Sequence, residues 1–89
     1  MEFKVLEESK KRMTFQLRGE GHAFCNALIH ELQEVKGVSI ASYKIDHPLV
    51  GIPEFLVETT SIEPRDALKQ AVSALKKEAK SFAKDAAKL

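Results

Sequence analysis

The stretch EPRDALKQAVSALKKEAKSFAKDAAKL, residues 63–89, decides the fold. Pro64 suits a first helical position, because its fixed φ fits a helix and its missing N–H would have no intrahelical partner there. Asp66 then places an anion in the first turn, where the helix dipole favours it. From Pro64 to the end there is no Gly and no second Pro, and Ala, Lys and Leu dominate. Leu68, Val72, Leu75, Ala79, Phe82, Ala86 and Leu89 recur at spacings of four and three, which makes one helical stripe, with Lys76, Lys80 and Lys84 on the other side. About 26 residues form a rod of roughly 39 Å, whereas a compact body of this chain length is about 30 Å across. The helix therefore outreaches its own globule, and the stripe divides. Leu68, Val72 and Leu75 are expected over a sheet as core. Phe82, Ala86 and Leu89 are expected to overhang, and a large apolar side chain left in water forgoes roughly 1.5–3 kcal/mol. That end reads as a surface for a second chain. Its spacing is compatible with a coiled-coil seam, and like and unlike partners fit it equally.

The totals narrow the classes. At 89 residues the chain is one domain, residues 1–89, close to the size at which small domains become marginal. A net charge of +1 argues against an electrostatic nucleic-acid binder, which carries a marked basic excess. One cysteine forms no internal disulfide and suits a reducing compartment, so a cytoplasmic location is expected. The N-terminus has no basic region followed by an apolar one, and no apolar run approaches the length of a membrane span.

Before the long helix, residues 2–8 alternate weakly, with Phe3 and Val5 on one side, and read as an edge-like strand. Met13, Phe15 and Leu17 alternate with Thr14, Gln16 and Arg18, the signature of a strand with one buried face. The two make a hairpin. A helix is expected from about His22 to Val35, with Phe24, Leu28, Leu32 and Val35 on one stripe, and Gly37 just past its end. Val38 and Ile40 begin a third strand that changes parity to Tyr43 and Ile45, which fits either a bulge around Ala41-Ser42 or a strand buried on both sides. After the loop marked by Pro48, Gly51 and Pro53, a fourth strand carries Phe55, Val57 and Thr59. The order β-β-α-β-β-α predicts an α+β fold: a four-stranded, mainly antiparallel sheet with two helices on one face.

Motifs for chemistry are weak. Gly19-x-Gly21 before a helix lacks the third small residue of a dinucleotide loop, since Phe24 stands there, and no Walker-type Gly-Lys-Ser/Thr follows. His22 and Cys25 are spaced to share a metal, but His30 lies across the helix from Cys25 and no second cysteine completes a pair, His47 notwithstanding. Cys25 as a nucleophile would lack an orienting group and an oxyanion donor set. No cofactor, catalytic residue or metal ligand is expected. The lysines of the last helix read as a solvated face, with a minor phosphate contact the lesser reading.

Two segments are more specific. Gly19 to Leu28, Gly-Glu-Gly-His-Ala-Phe-Cys-Asn-Ala-Leu, resembles the Gly-Glu-Asp-His-Thr-x-x-Asn-x-Leu motif of the small alpha-like subunits of multisubunit RNA polymerases. Val38 to Leu49, running through Tyr43 into His47-Pro48-Leu49, resembles the same family's Val-x-Phe-Ala-Gly-Tyr strand and its His-Pro-Leu. Glu63 to Leu68 is similar to the family's approach to its final helix. The order and spacing match from about residue 2 to residue 80 or beyond. The shortness of the chain looks most like the archaeal members, the subunit L group.

The resemblance implies a non-catalytic subunit of DNA-directed RNA polymerase in transcription. It implies a heterodimer with the larger alpha-like subunit, named D in archaea, as the assembly platform for the large catalytic subunits with small subunits N and P. In the family, pairing is through the helices. Carried over, the interface residues are Phe24, Leu28 and Leu32 on the first helix and Leu75, Ala79, Phe82, Ala86 and Leu89 on the second. His22, Asn26, His47 and Pro48 fall on motif positions, with turn-shaping and subunit contact expected of them. The nucleotidyl transfer itself belongs to the large subunits. The alternative is a homodimeric sheet-and-helix module that binds a ligand or regulates another protein. The chain departs from the family pattern at Gly21, Ala23 and Ser42, where an acidic residue, Thr and Gly are usual. The first two remove a capping carboxylate and hydroxyl from the first helix, at a cost of about 1 kcal/mol.

Overall fold

A computed structural model describes residues 2–19, 21–45 and 51–88. The elements follow in the order β1 (Glu2–Glu8), β2 (Arg12–Arg18), α1 (His22–Glu34), β3 (Val38–Lys44), β4 (Glu54–Thr59) and α2 (Pro64–Ala86). The four strands form one antiparallel sheet in the order β1-β2-β4-β3. Both hairpin partners and the central β2–β4 pair thus lie side by side, and β1 and β3 are the edges.

Strand alternation sorts the residues as the sequence predicts. Met13, Phe15 and Leu17 of β2 and Phe55 and Val57 of β4 are all buried, while the residues between them face the other side. The rings form a row across the whole sheet. Phe15 stacks on Phe55 at 4.9 Å between ring centres, Phe55 on Tyr43 of β3 at 5.2 Å, and Phe3 of β1 meets Phe15 at 5.7 Å. Contacts of this kind stabilise beyond the area that they bury. Both helices pack on this face, with Cys25, Leu28 and Leu32 of α1 and Ala67 and Ala71 of α2 in the same core.

The parity change in β3 lies earlier than the sequence suggests. The register slips between Val38 and Ile40 and not at Ala41-Ser42. Ser39 is the extra residue, so Val38, Ala41 and Tyr43 face the helices and Ile40 stands outside opposite Glu58. β1 has a matching slip between Val5 and Glu7. Gly37 is not the residue directly after α1. The helix ends at Glu34 with Val35 as its cap, and Gly37, at φ 97°, is the third residue of a turn closed by the Val38 N–H on the Val35 carbonyl at 3.2 Å. A Cβ at Gly37 would lie 2.5 Å from Ser61 Oγ and 2.9 Å from an Ile62 methyl, so the turn needs glycine both for its φ and for space.

α2 is fastened at its start. Glu8, displaced to the helix side by the β1 bulge, accepts two hydrogen bonds from Arg65, at 2.8 and 2.6 Å. The hydrogen bond from Arg65, aided by its charge, holds the Glu8 carboxyl below its ordinary value. This contribution is present at neutral pH and lost as pH falls through that depressed value. Thr59 is 5% exposed, and its hydroxyl has no hydrogen-bond partner among the described residues.

Two substitutions test this account. Thr59→Val keeps the branched shape and removes the orphan hydroxyl, so urea unfolding should show a gain of about 1 kcal/mol. Gly37→Ala should lose about 1–2 kcal/mol in the same assay, from the left-handed φ plus the clash.

Candidate functional site

The candidate site is the helix side of the molecule beyond its own core. α2 has 23 residues, a rod of roughly 35 Å, and the molecule measures 44 × 36 × 17 Å. Ala67 and Ala71 are fully buried, and Leu68, Val72 and Leu75 are half-buried against the core. Phe82 lies about two turns past Leu75, on the same line that Ala71 and Leu75 bury, but there is no sheet left beneath it. It is 76% exposed, and Ala79 and Ala86 beside it are exposed too. The overhang expected of the stripe is therefore present.

The expectation for α1 needs correcting. Leu28 and Leu32 are 0% exposed, because the inner stripe of α1 is consumed by the sheet and by α2. They offer no surface to another chain. Phe24, half-buried at the rim of the core, and Leu75 keep some. Leu89, His47 and Pro48 lie outside the described residues. His22 and Asn26 converge on one atom, the Tyr43 hydroxyl, which donates to Asn26 Oδ1 at 3.0 Å and lies 3.4 Å from His22 Nδ1. Both motif residues thus tie the first turns of α1 to edge strand β3.

The sequence reading missed a second open region. With β1 at an edge and no helix above it, Phe3 and Val5 are 37% and 42% exposed on the helix side. Phe3, Leu68 and Val72 line a groove of about 380 Å³ between β1 and α2, together with Lys69, Ser73 and Lys76. The signal, Phe3 and Val5 on one side of a strand, was in the sequence. The strand order that leaves them uncovered was not.

The surplus surface can be measured. The accessible surface is 6138 Å² for a chain of 9.9 kDa, where a compact monomer of that mass has about 5,200 Å². The radius of gyration, 13.9 Å, exceeds the roughly 12 Å of a compact chain. The excess area, about 900 Å², is on the scale of one partner's share of a stable interface.

Cys25 is fully buried, and among the described residues no group of three or more His, Cys, Asp or Glu side chains is placed to hold a metal ion. No helix among them is long and apolar enough to cross a membrane.

Residues 12–85 match the model of the RNA polymerase Rpb3/Rpb11 dimerisation domain. The chain belongs to that family. Among its relatives, DNA-directed RNA polymerase subunit Rpo11 of Nanoarchaeum equitans is 43% identical over 82 residues, covering 91% of this chain and 85% of the relative. Subunit Rpo11 of Archaeoglobus fulgidus is 38% identical over 71 residues, 80% of this chain and 83% of the relative. The crystal structure of DNA-directed RNA polymerase subunit L from Thermoplasma acidophilum superposes with a TM-score of 0.85 at 25% identity, over 98% of this chain and 86% of that one. The Rpb3/Rpb11 fold thus accounts for the sheet and both helices.

At the seam between the helices, Glu31 of α1 shares a hydrogen bond with Glu78 of α2, and this, with partial desolvation and the neighbouring charge, raises the Glu31 carboxyl above its ordinary value. A raised carboxyl penalises the folded state when ionised, and the penalty disappears as pH falls through the raised value. Glu78→Gln should therefore stabilise the chain at neutral pH by roughly 0.2–1 kcal/mol, the range of exposed charge pairs. Thermal melts should show that gain vanishing in acid, the opposite sign to the Glu8–Arg65 pair.

Proposed function

We propose that this chain is a non-catalytic small subunit of a DNA-directed RNA polymerase. It pairs with the larger alpha-like subunit, the one named D in archaea, and the heterodimer forms the platform on which the large catalytic subunits, with small subunits N and P, assemble in the cytoplasm. The observation that carries this reading is the overhanging Phe82, 76% exposed beyond the core, in a member of a dimerisation-domain family. The seam runs along Leu75, Ala79, Phe82 and Ala86 of α2, with Phe24 at its margin. His22 and Asn26 serve it indirectly by fixing the start of α1.

An obligate pairing of this kind buries roughly 2,000 Å² or more in total, and a large aromatic at its centre is the type of residue that dominates such an interface. The chain's part in transcription is then architectural. A homodimeric module is the competing reading, and sedimentation of the chain with and without the larger alpha-like subunit separates the two.

Phe82→Asp is the direct test. At 76% exposure, the substitution should change the unfolding free energy of the isolated chain by no more than about 0.5 kcal/mol. Heterodimer affinity, measured by titration calorimetry, should fall by about 100-fold. Undiminished affinity would place the seam elsewhere.

A further inference from the structure

The lysines of α2 are not spread evenly around the helix. α2 carries six basic and three acidic residues. Lys69 and Lys76 edge the groove formed with Phe3, Leu68 and Val72, and Lys69 and Lys77 edge a second hollow beside it, lined also by Gln70, Ser73 and Ala74. Neither lining includes a carboxylate. The acids of this region are engaged or placed elsewhere: Glu8 pairs with Arg65, Glu78 meets Glu31, and Asp66 sits in the first turn of the helix. Lys69, Lys76 and Lys77 are in none of the ion pairs among the described residues. The result is an apolar trough with an uncompensated basic border, contiguous along α2 with the seam proposed above.

We propose that this trough receives an apolar side chain from a helix of the larger alpha-like subunit whose flanking residues are carboxylates, and that its lysine border is what selects that partner over a second copy of this chain. The inference rests on the heterodimer reading and specifies the chemistry of its partner. In a two-fold pair of identical chains the same patch meets itself or its immediate surroundings. Lysine would then face lysine across a dehydrating interface, with no carboxylate in either lining to separate them. A partner bearing Asp or Glu on either side of its apolar anchor meets the same border with attraction. Charge of this type acts on partner choice and on association rate more than on the total affinity, and it is screened as salt rises.

The experiment measures the affinity of the intact chain for the larger alpha-like subunit of the same organism, at low salt and at about 1 M salt, where screening acts within roughly 3 Å. Four proteins are compared: wild type, Lys69→Glu/Lys76→Glu, Ser73→Trp, and a control with the same charge change on the β1–β2 turn, Lys10→Glu/Lys11→Glu. All of these positions are exposed, and circular dichroism checks that each variant folds. The Lys69/Lys76 variant should bind about 10-fold or more weakly at low salt, with the difference shrinking at high salt, and the control should bind as wild type does. Ser73→Trp should weaken binding at both salt levels, because it fills the trough. Mixed one to one with wild type, the Lys69/Lys76 variant should self-associate more than either protein alone.

If the Lys69/Lys76 and Ser73 variants bind the alpha-like partner with wild-type affinity at both salt levels, the trough is not the docking site, although the heterodimer reading stands. If the control weakens binding as much as the Lys69/Lys76 variant does, the border has no selective role. If wild type fails to bind that partner and instead forms a salt-insensitive homodimer, both readings fall together.

Discussion

The row of rings from Phe3 through Phe15 and Phe55 to Tyr43 is the constraint on which the rest of this structure depends. It crosses every strand, and each ring is in contact with the next. Because side chains alternate between faces, a slip of one residue in any strand would send its ring to the far side and break the row. The ladder therefore sets the register of a sheet whose strands come from three separate parts of the chain. It also aims the Tyr43 hydroxyl at α1, where Asn26 and His22 meet it. The same packing that orders the sheet thus positions the first helix.

The helices divide the remaining surface unequally. α1 spends Cys25, Leu28 and Leu32 entirely against the sheet and α2, and of its apolar stripe only the half-buried rim at Phe24 and Ile29 is left for a neighbour. α2 meets the core through Ala67 and Ala71. Small side chains there let the helix lie close, so its larger residues, Leu68 and Val72, fall on the flank. This explains why a slab only 17 Å thick has its longer helix half uncovered. Three of the eleven hydrophobic core residues among those described are alanines, which leaves a modest core for a domain of this size.

Much of this was legible in the sequence. The alternation of Met13, Phe15 and Leu17 located the central strand, Pro64 located the start of α2, and the mismatch between helix length and body size foretold an exposed Phe82. The motif from Gly19 to Leu28 pointed to the family before any geometry was known. What could not be read depended on long-range order. Leu28 and Leu32 looked like interface residues because a helical stripe does not say which neighbour it serves. Phe3 and Val5 looked ordinary because only the order β1-β2-β4-β3 reveals that no helix covers them. The bulge at Ser39 was misplaced since Ile40 and Ala41 are both apolar, and only pairing with β4 tells which of them turns inward.

The two slips in the sheet, at Leu6 in β1 and at Ser39 in β3, fall on the two edge strands and leave the central pair regular. An irregular border cannot be copied by another strand laid against it, since the spacing of its amide groups is broken partway along. On the pairing proposed above, the chain exists alone between synthesis and assembly, with Phe82 uncovered. The kinked borders close the route to fibrous stacking during that interval, and leave the helical side as the direction in which the molecule can grow.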